Sequence, residues 1–206
     1  MAVEINERWF SSVPKKWQLA FFPKDSDEGQ MYLTEMQYCV DFALASRKEM
    51  MRIIREAFRE TFGDGLHFDD EINIAHNYAR MEHHFGRDLM VHRKGATSAR
   101  DGEMGIIPGS QGTSSYIVRG KGNPESFMSC SHGAGRKMSR TEAENTLNLE
   151  AEKSRLDNRN ILHAIRRAKD LDEAPGAYKD IETVMAEQAD LVEILVKLEP
   201  LAVVKG

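Results

Sequence analysis

Apolar residues at Leu33, Met36, Val40, Ala43, Met50, Ile54 and Phe58 recur at steps of three and four or their sum, with charged residues between them. That is the period of a helix with one apolar stripe, so the pattern predicts a helix over residues 28–62. Thr34 is a candidate cap for it, and Gly63 a stop. The period changes over residues 68–135. "LMVHRKG" (89–95) and "SSYIVRG" (114–120) are short apolar or β-branched runs closed by glycine, which read as strands of a glycine-rich sheet. From Ser139, "SRTEAENTLNLEAEKSRL" turns helical again behind a Ser/Thr followed by acids, a capping pattern. Residues 180–198, "DIETVMAEQADLVEILVKL", read as an amphipathic helix starting at Asp180, and the tail "EPLAVVKG" as a final strand. The expected class is α+β, a glycine-rich sheet core flanked by amphipathic helices. No internal repeat or linker divides residues 1–206, so the pattern predicts a single region.

Composition narrows this reading. The 206 residues are 41% hydrophobic and 30% charged, as in a soluble globular protein long enough to bury a core. No apolar run approaches the ~18 residues of a membrane span. The start "MAVEINERWF" lacks the apolar stretch of a secretory signal, and Cys39 and Cys130 have no metal-type spacing. The expected location is cytoplasmic, with both thiols reduced.

The net charge of −5 argues against a polyanionic partner until its distribution is considered. Residues 91–140 hold eight Lys/Arg against three acids, a local +5, which leaves −10 for the rest. Eight of the fifteen glycines lie between Gly102 and Gly135. Approachable backbone beside localised positive charge is the composition of a phosphate site. It is also the composition of a solvated basic loop, the reading that composition by itself favours.

Seven histidines are the candidate chemistry. His83, His84 and His163 sit in polar contexts expected to be helical and exposed, and His67 lies in an acidic turn. His76 follows an alternating apolar stretch, and a hydrogen-bonded structural role suits one imidazole better than a metal site does. His92 ends a predicted strand and precedes two cations. His132 is the least ordinary, because Ser131 and the run Gly133-Ala134-Gly135 leave its ring little steric cover, with Arg136, Lys137 and Arg140 close behind.

Six motifs then occur in one order: "AHNYA" (75–79), "VHRKGAT" (91–97), "IPGSQGTSSYIV" (107–118), "SCSHGAGRKMSR" (129–140), "EAPGAYKD" (173–180) and "VVKG" (203–206). Together they resemble the RtcB-type RNA ligases, GTP- and manganese-dependent enzymes of tRNA splicing and RNA repair, over nearly all of the chain from Ser26. The resemblance implies that His132 is a nucleophile that accepts GMP from GTP. It implies that the guanylate passes to an RNA 3′-phosphate, opened first where the end is a 2′,3′-cyclic phosphate, and that a 5′-hydroxyl displaces GMP to close the phosphodiester. It further implies His76 as a manganese ligand and Asn77 as a nucleotide contact. Pro108, Gly109, Ser110 and Gln111 would form a GTP loop with Ser115 near the base. Gly133, Ala134 and Gly135 would lie against the phosphate, with the Ala134 and Gly135 amides as donors. Tyr178 would stack on guanine, Lys205 would read its edge, and His92, Arg93 and Lys94 would meet the RNA terminal phosphate.

Two departures stand inside the motifs. Gln111 replaces the methionine of the usual Gly-Ser-Met-Gly loop, and Ser98 stands where arginine usually follows the His-Arg-Lys-Gly-Ala-Thr run. A larger departure is absence. The family's Asp-x-x-Cys and Gly-Asn-His-Phe metal motifs do not occur, and one imidazole does not hold a dinuclear site. The chain therefore resembles the C-terminal half of such a ligase, whose other metal ligands a separate N-terminal half would supply. A catalytically inactive guanine-nucleotide or RNA-end binding module, and a nucleotidyltransferase acting on another phosphate-ended substrate, are the alternatives.

Overall fold

The computed structural model describes residues 21–204, which divide into two units, one ending at Leu66 and one beginning at His67. In the first unit, helix α1 (Asp27–Phe62) realises the predicted period almost residue for residue. Its cap is Ser26, whose hydroxyl accepts the Gly29 N–H at 3.1 Å. Thr34 is therefore not the cap. It lies in the second turn, where its hydroxyl donates back to the Gln30 carbonyl. Gly63 ends the helix at φ +89°, in the left-handed region that glycine enters without penalty.

The second unit is built from small antiparallel pieces. Strands β1 (Asn77–His84) and β2 (Arg87–Lys94) form a hairpin, with Asn77 opposite Lys94 and Ala79 opposite His92. Its two-residue turn, Phe85-Gly86, has positive φ at both positions (52° and 72°), the geometry that matches strand twist. Strand β3 (Ala96–Ser98) pairs with β6 (Ser129–Ser131), and β4 (Met104–Ile107), β5 (Ser115–Gly120) and β7 (Val192–Leu198) form a three-stranded sheet in the order β4-β5-β7. Helices α2 (Arg140–Thr146), α3 (Leu149–Asp157) and α4 (Ile181–Ala186) complete the α+β class.

One core joins Ile107, Tyr116, Val118 and Cys130 to Ile181, Met185 and Val192. A second gathers Leu156, Ile161, Ile165, Leu171 and Ala174. Among the described residues no helix is long and apolar enough to cross a membrane.

Four local expectations change. The predicted helix over 180–198 starts where expected, with Asp180 accepting the Glu182 and Thr183 N–H groups, but stops at Ala186. "VEILVKL" instead pairs with β5, because a run rich in β-branched residues gains more from a ladder than from helix, and its spacing fits both periods. The helical stretch after Ser139 carries a true capping box but breaks at Leu147, and Asn148 caps the next helix through Ala151. The tail is no strand over the described residues: Ala202 makes one isolated bridge to Leu162. His83 and His84 lie on β1 rather than a helix, and His84 is buried, bonded to Glu82 at 2.9 Å. His163 follows that bridge in a loop and holds Asp157.

Candidate active site

His132 is placed by its neighbours on both sides. The pairing of β6 with β3 sets Ser131 opposite Ala96, so the residue after β6 lies against Gly95, before β3. The His132 N–H reaches the Gly95 carbonyl at 3.4 Å, and a side chain at Gly95 (φ +73°) would begin 3.8 Å from His132 Nδ1. Thr97, also on β3, donates to the Ala75 carbonyl at 3.1 Å, which fixes the segment carrying His76 beside it. The two imidazoles stack, with ring centroids 5.0 Å apart and planes within 9°. His132 Nδ1 is buried with no hydrogen-bond partner. Buried polar atoms are rarely left without a partner, so this nitrogen is an uncommon feature of the loop, enclosed between the His76 ring and the Gly95 turn.

The glycine-rich run after His132 is tied to two other motifs. The Ala134 N–H donates to the Pro108 carbonyl at 3.0 Å, which corrects the expectation that this amide faces a phosphate. The Gly133 N–H reaches the Ser131 hydroxyl at 3.4 Å. That of Gly135, at φ +73°, has no acceptor among the described residues. Beyond it, Lys179 N donates to Gly135 O and Lys137 N to Ala177 O, flanking an Arg136–Tyr178 bridge. The nucleophile loop and the Gly-Ala-Tyr-Lys motif, 43 positions apart in sequence numbering between Gly135 and Tyr178, are thus one antiparallel contact.

The Pro108–Thr113 turn is held from within. Ser110 N donates to Thr113 Oγ1 at 2.7 Å, and the two hydroxyls lie 2.9 Å apart. A Cβ at Gly109 would stand 2.3 Å from the Ser114 carbonyl oxygen, closer than atoms can pack. Gly109→Ala is therefore expected to displace the turn and destabilise the protein by about 1–3 kcal/mol. Urea denaturation measures this, and a midpoint equal to that of the parent would show that the turn has room. Gln111 lies within this turn, half-buried, with its Oε1 also without a partner. Ser115 begins β5 half-buried opposite Leu198.

Tyr178 borders a cleft of about 360 Å³, together with Gly112, Thr113, Lys137, Arg155 and Lys179. This falls in the range of small-ligand sites. Arg136 lies over the Tyr178 ring at 5.0 Å, and Glu173 receives the phenol hydroxyl. Burial raises the Tyr178 phenol, and the Glu173 carboxylate raises it further. Burial also pushes Glu173 upward, but the Tyr178 hydroxyl, Arg140 and Arg136 outweigh it and hold that carboxyl below its ordinary range. The tyrosine is a neutral ring clamped in orientation, with one face backed by a guanidinium. Arg155 and Lys179 were not singled out from the sequence. Their signal is weak, because cations on a short polar helix and after an aromatic residue are ordinary.

The hairpin divides the His-Arg-Lys run. Period-two alternation puts His92 and Lys94 on the face shared with Asn77, and Arg93 on the other. Arg93 is 2% exposed, and all five of its N–H donors are used: one on Ser129, one on Tyr78, two on Glu82 and one on the Phe127 carbonyl. This corrects the expectation that Arg93 meets an RNA phosphate, since it has no donor left to offer. Ser98 is buried and donates to Glu103, so it lies in the interior.

Cys130, beside the nucleophile candidate, is buried, and its thiol is pushed up to about 11 by burial, reinforced by Glu103. It is no nucleophile at neutral pH. Among the described residues no three His, Cys, Asp or Glu side chains gather as a metal site. His76 by itself does not fit the manganese set. Lys205 lies outside the described residues.

The family model for tRNA-splicing ligase RtcB matches residues 1–206. The RNA-splicing ligase RtcB of Escherichia coli K12 is 42% identical over 193 residues, which cover 91% of this chain and 47% of that protein. The tRNA-splicing ligase RtcB of Pyrococcus horikoshii is 36% identical over 92% of this chain and 25% of its own length. That of Methanococcus maripaludis is 33% identical over 97% and 48%. The chain spans about half the length of the Escherichia coli relative.

Proposed function

Because the chain belongs to the RtcB family of tRNA-splicing ligases, we propose that it is the nucleotide-carrying part of an RNA ligase that joins 3′-phosphate or 2′,3′-cyclic phosphate ends to 5′-hydroxyl ends. The observation that carries this reading is His132. It sits on a glycine-rich loop, with its Nδ1 sealed and unpartnered, and that loop is joined by backbone bonds to the motif bearing Tyr178.

With Nδ1 buried, Nε2 is the nitrogen that attacks. Its lone pair forms a bond to the α-phosphorus of GTP as the bond to pyrophosphate breaks, leaving GMP on His132. An oxygen of the RNA 3′-phosphate then takes the guanylate and frees the imidazole. The 5′-hydroxyl displaces GMP, closing the phosphodiester. Gly135 offers an amide to the phosphate, Tyr178 a ring face to guanine, and Lys205 a donor to the base edge. His92 and Lys94, on the face they share with Asn77, meet the RNA terminal phosphate. Arg93 is a positioning residue behind them.

Divalent metal neutralises phosphate charge in chemistry of this kind. His76 would hold such an ion through one nitrogen only, and a further polypeptide would have to supply the other ligands. That incomplete set also supports a second reading, a guanine-nucleotide or RNA-end binding module without catalysis.

The test is labelled GTP with manganese, given to the chain alone and to the chain co-expressed with the part of the Escherichia coli relative that it does not match. An acid-labile GMP adduct is expected only in the second case, and ATP should not replace GTP. Loss of a charged hydrogen bond to a buried base edge costs about 1.5–3 kcal/mol, so deleting Lys205 and Gly206 should weaken GTP binding roughly ten- to a hundredfold. Equal binding of ATP and GTP by the parent chain would overturn the base assignment.

A further inference from the structure

The β4-β5-β7 sheet is apolar on both faces. Ile107, Tyr116, Val118 and Val192 fill one face and belong to the core that contains Ile181 and Met185 of α4. On the other face the register lines up Ile106, Ile117 and Val196, one from each strand, in a single row. Met104 flanks that row along β4, and Leu198 flanks it along β7. Val196 is 43% exposed, Leu198 40% and Met104 38%. A sheet with one solvated face alternates apolar and polar residues, and apolar side chains on both faces signal a layer on each. Among the described residues one such layer is packed on the sheet.

We propose that this face seats the second protein layer of the ligase, formed by the half of an RtcB chain that this polypeptide does not match. The inference rests on the ligase reading above. Two observations choose the occupant. The Escherichia coli relative carries more than half of its length outside the match, so a single chain of the family has the material for another layer. The face is also unsuited to RNA: its one cation, Arg119, is paired with Glu193 across the strands at 3.2 Å. What fits a row of branched aliphatic side chains is another apolar protein surface.

The experiment co-expresses the full 206-residue chain with the unmatched part of the Escherichia coli relative, tagged, so that neither needs to fold alone. The parent chain is expected to co-purify with the tag. Val196→Lys and Leu198→Lys should each lower capture at least tenfold while leaving the chain's own melting curve unchanged. Glu187→Lys, on the exposed end of α4, should leave capture intact. Capture indifferent to Val196→Lys, or absent for the parent, overturns the proposal. So does a dimer of the chain alone, seen by sedimentation and dispersed by the same substitution, because a second copy would then own the face. Guanylation read in parallel separates the two claims. An adduct restored equally in parent and Val196→Lys sinks the docking face and leaves the ligase reading standing. Val196-dependent capture without any adduct does the reverse.

Discussion

His132→Ala, in the presence of the complementing half, is expected to abolish the covalent guanylate, a loss of roughly 10³-fold or more, the scale on which removal of a covalent nucleophile acts. The expectation follows from three features that no other described histidine combines. Its ring stacks on His76, its Nδ1 is buried without a partner, and its backbone continues into the Gly133–Gly135 run that pairs with Lys179. His163→Ala is the matched control. That ring bridges Asp157 and the Ile165 N–H, so both nitrogens already have structural work. Cys130→Ser is a second control, since a thiol pushed up to about 11 supplies almost no thiolate at neutral pH. Acid lability of the adduct distinguishes a phosphoramidate from a phosphoester on serine. Label persisting on the His132 variant would move the nucleophile elsewhere.

Much of this site was legible before any coordinates, and the reason is local. A glycine-flanked histidine followed by cations is a statement about backbone approach and charge that needs no tertiary information. The same holds for the long helix, whose stripe of Leu33, Met36 and Val40 and stop at Gly63 are written within one segment. What sequence alone misassigned was decided by pairing. Val192–Leu198 fits a helix by spacing and becomes a strand because β5 is there to receive it. Arg93 looks identical in kind to His92 and Lys94, yet strand alternation turns it inward to Glu82 while they face out. Ala134 reads as a free amide until Pro108 arrives from elsewhere in the chain to accept it. Each of these depends on contacts distant in sequence, which no local pattern encodes.

Glu82→Ala is expected to destabilise the second unit by about 3–5 kcal/mol, a large share of the ~5–15 kcal/mol that holds a typical domain together. Glu82 is 8% exposed and serves three guanidinium groups and an imidazole: Arg93 at 2.6 and 2.9 Å, Arg100 at 2.9 Å, Arg80 at 3.2 Å and His84 at 2.9 Å. Removing it strands Arg93, almost fully buried, with no counter-charge, and desolvated charge without a partner is the costly half of a broken pair. Glu82→Leu combined with Arg93→Met should recover most of the loss, because the pair contributes little over apolar residues of similar volume. The pH dependence has a definite sign. The Arg93 guanidinium, helped by His84 and Arg100 against the cost of burial, holds the Glu82 carboxyl far below its ordinary 4.5. A carboxyl depressed in the folded state stabilises fully above its unfolded value, and that contribution drains away as pH falls below about 4.5 toward the folded value. Urea midpoints of the parent should therefore fall between pH 5 and pH 3 more steeply than those of Glu82→Gln. The consequence reaches the chemistry through Arg93, whose Nε–H holds Ser129 at 2.9 Å on β6, the strand that leads into His132. Loss of the pair frees both the hairpin face carrying Asn77, His92 and Lys94 and the strand that aims the nucleophile. Guanylation by a Glu82→Ala protein should drop even at temperatures where it remains folded. Unfolding free energies within about 0.5 kcal/mol of the parent at pH 7, or identical slopes with pH, would show that this buried cluster holds neither the hairpin nor the nucleophile strand in place.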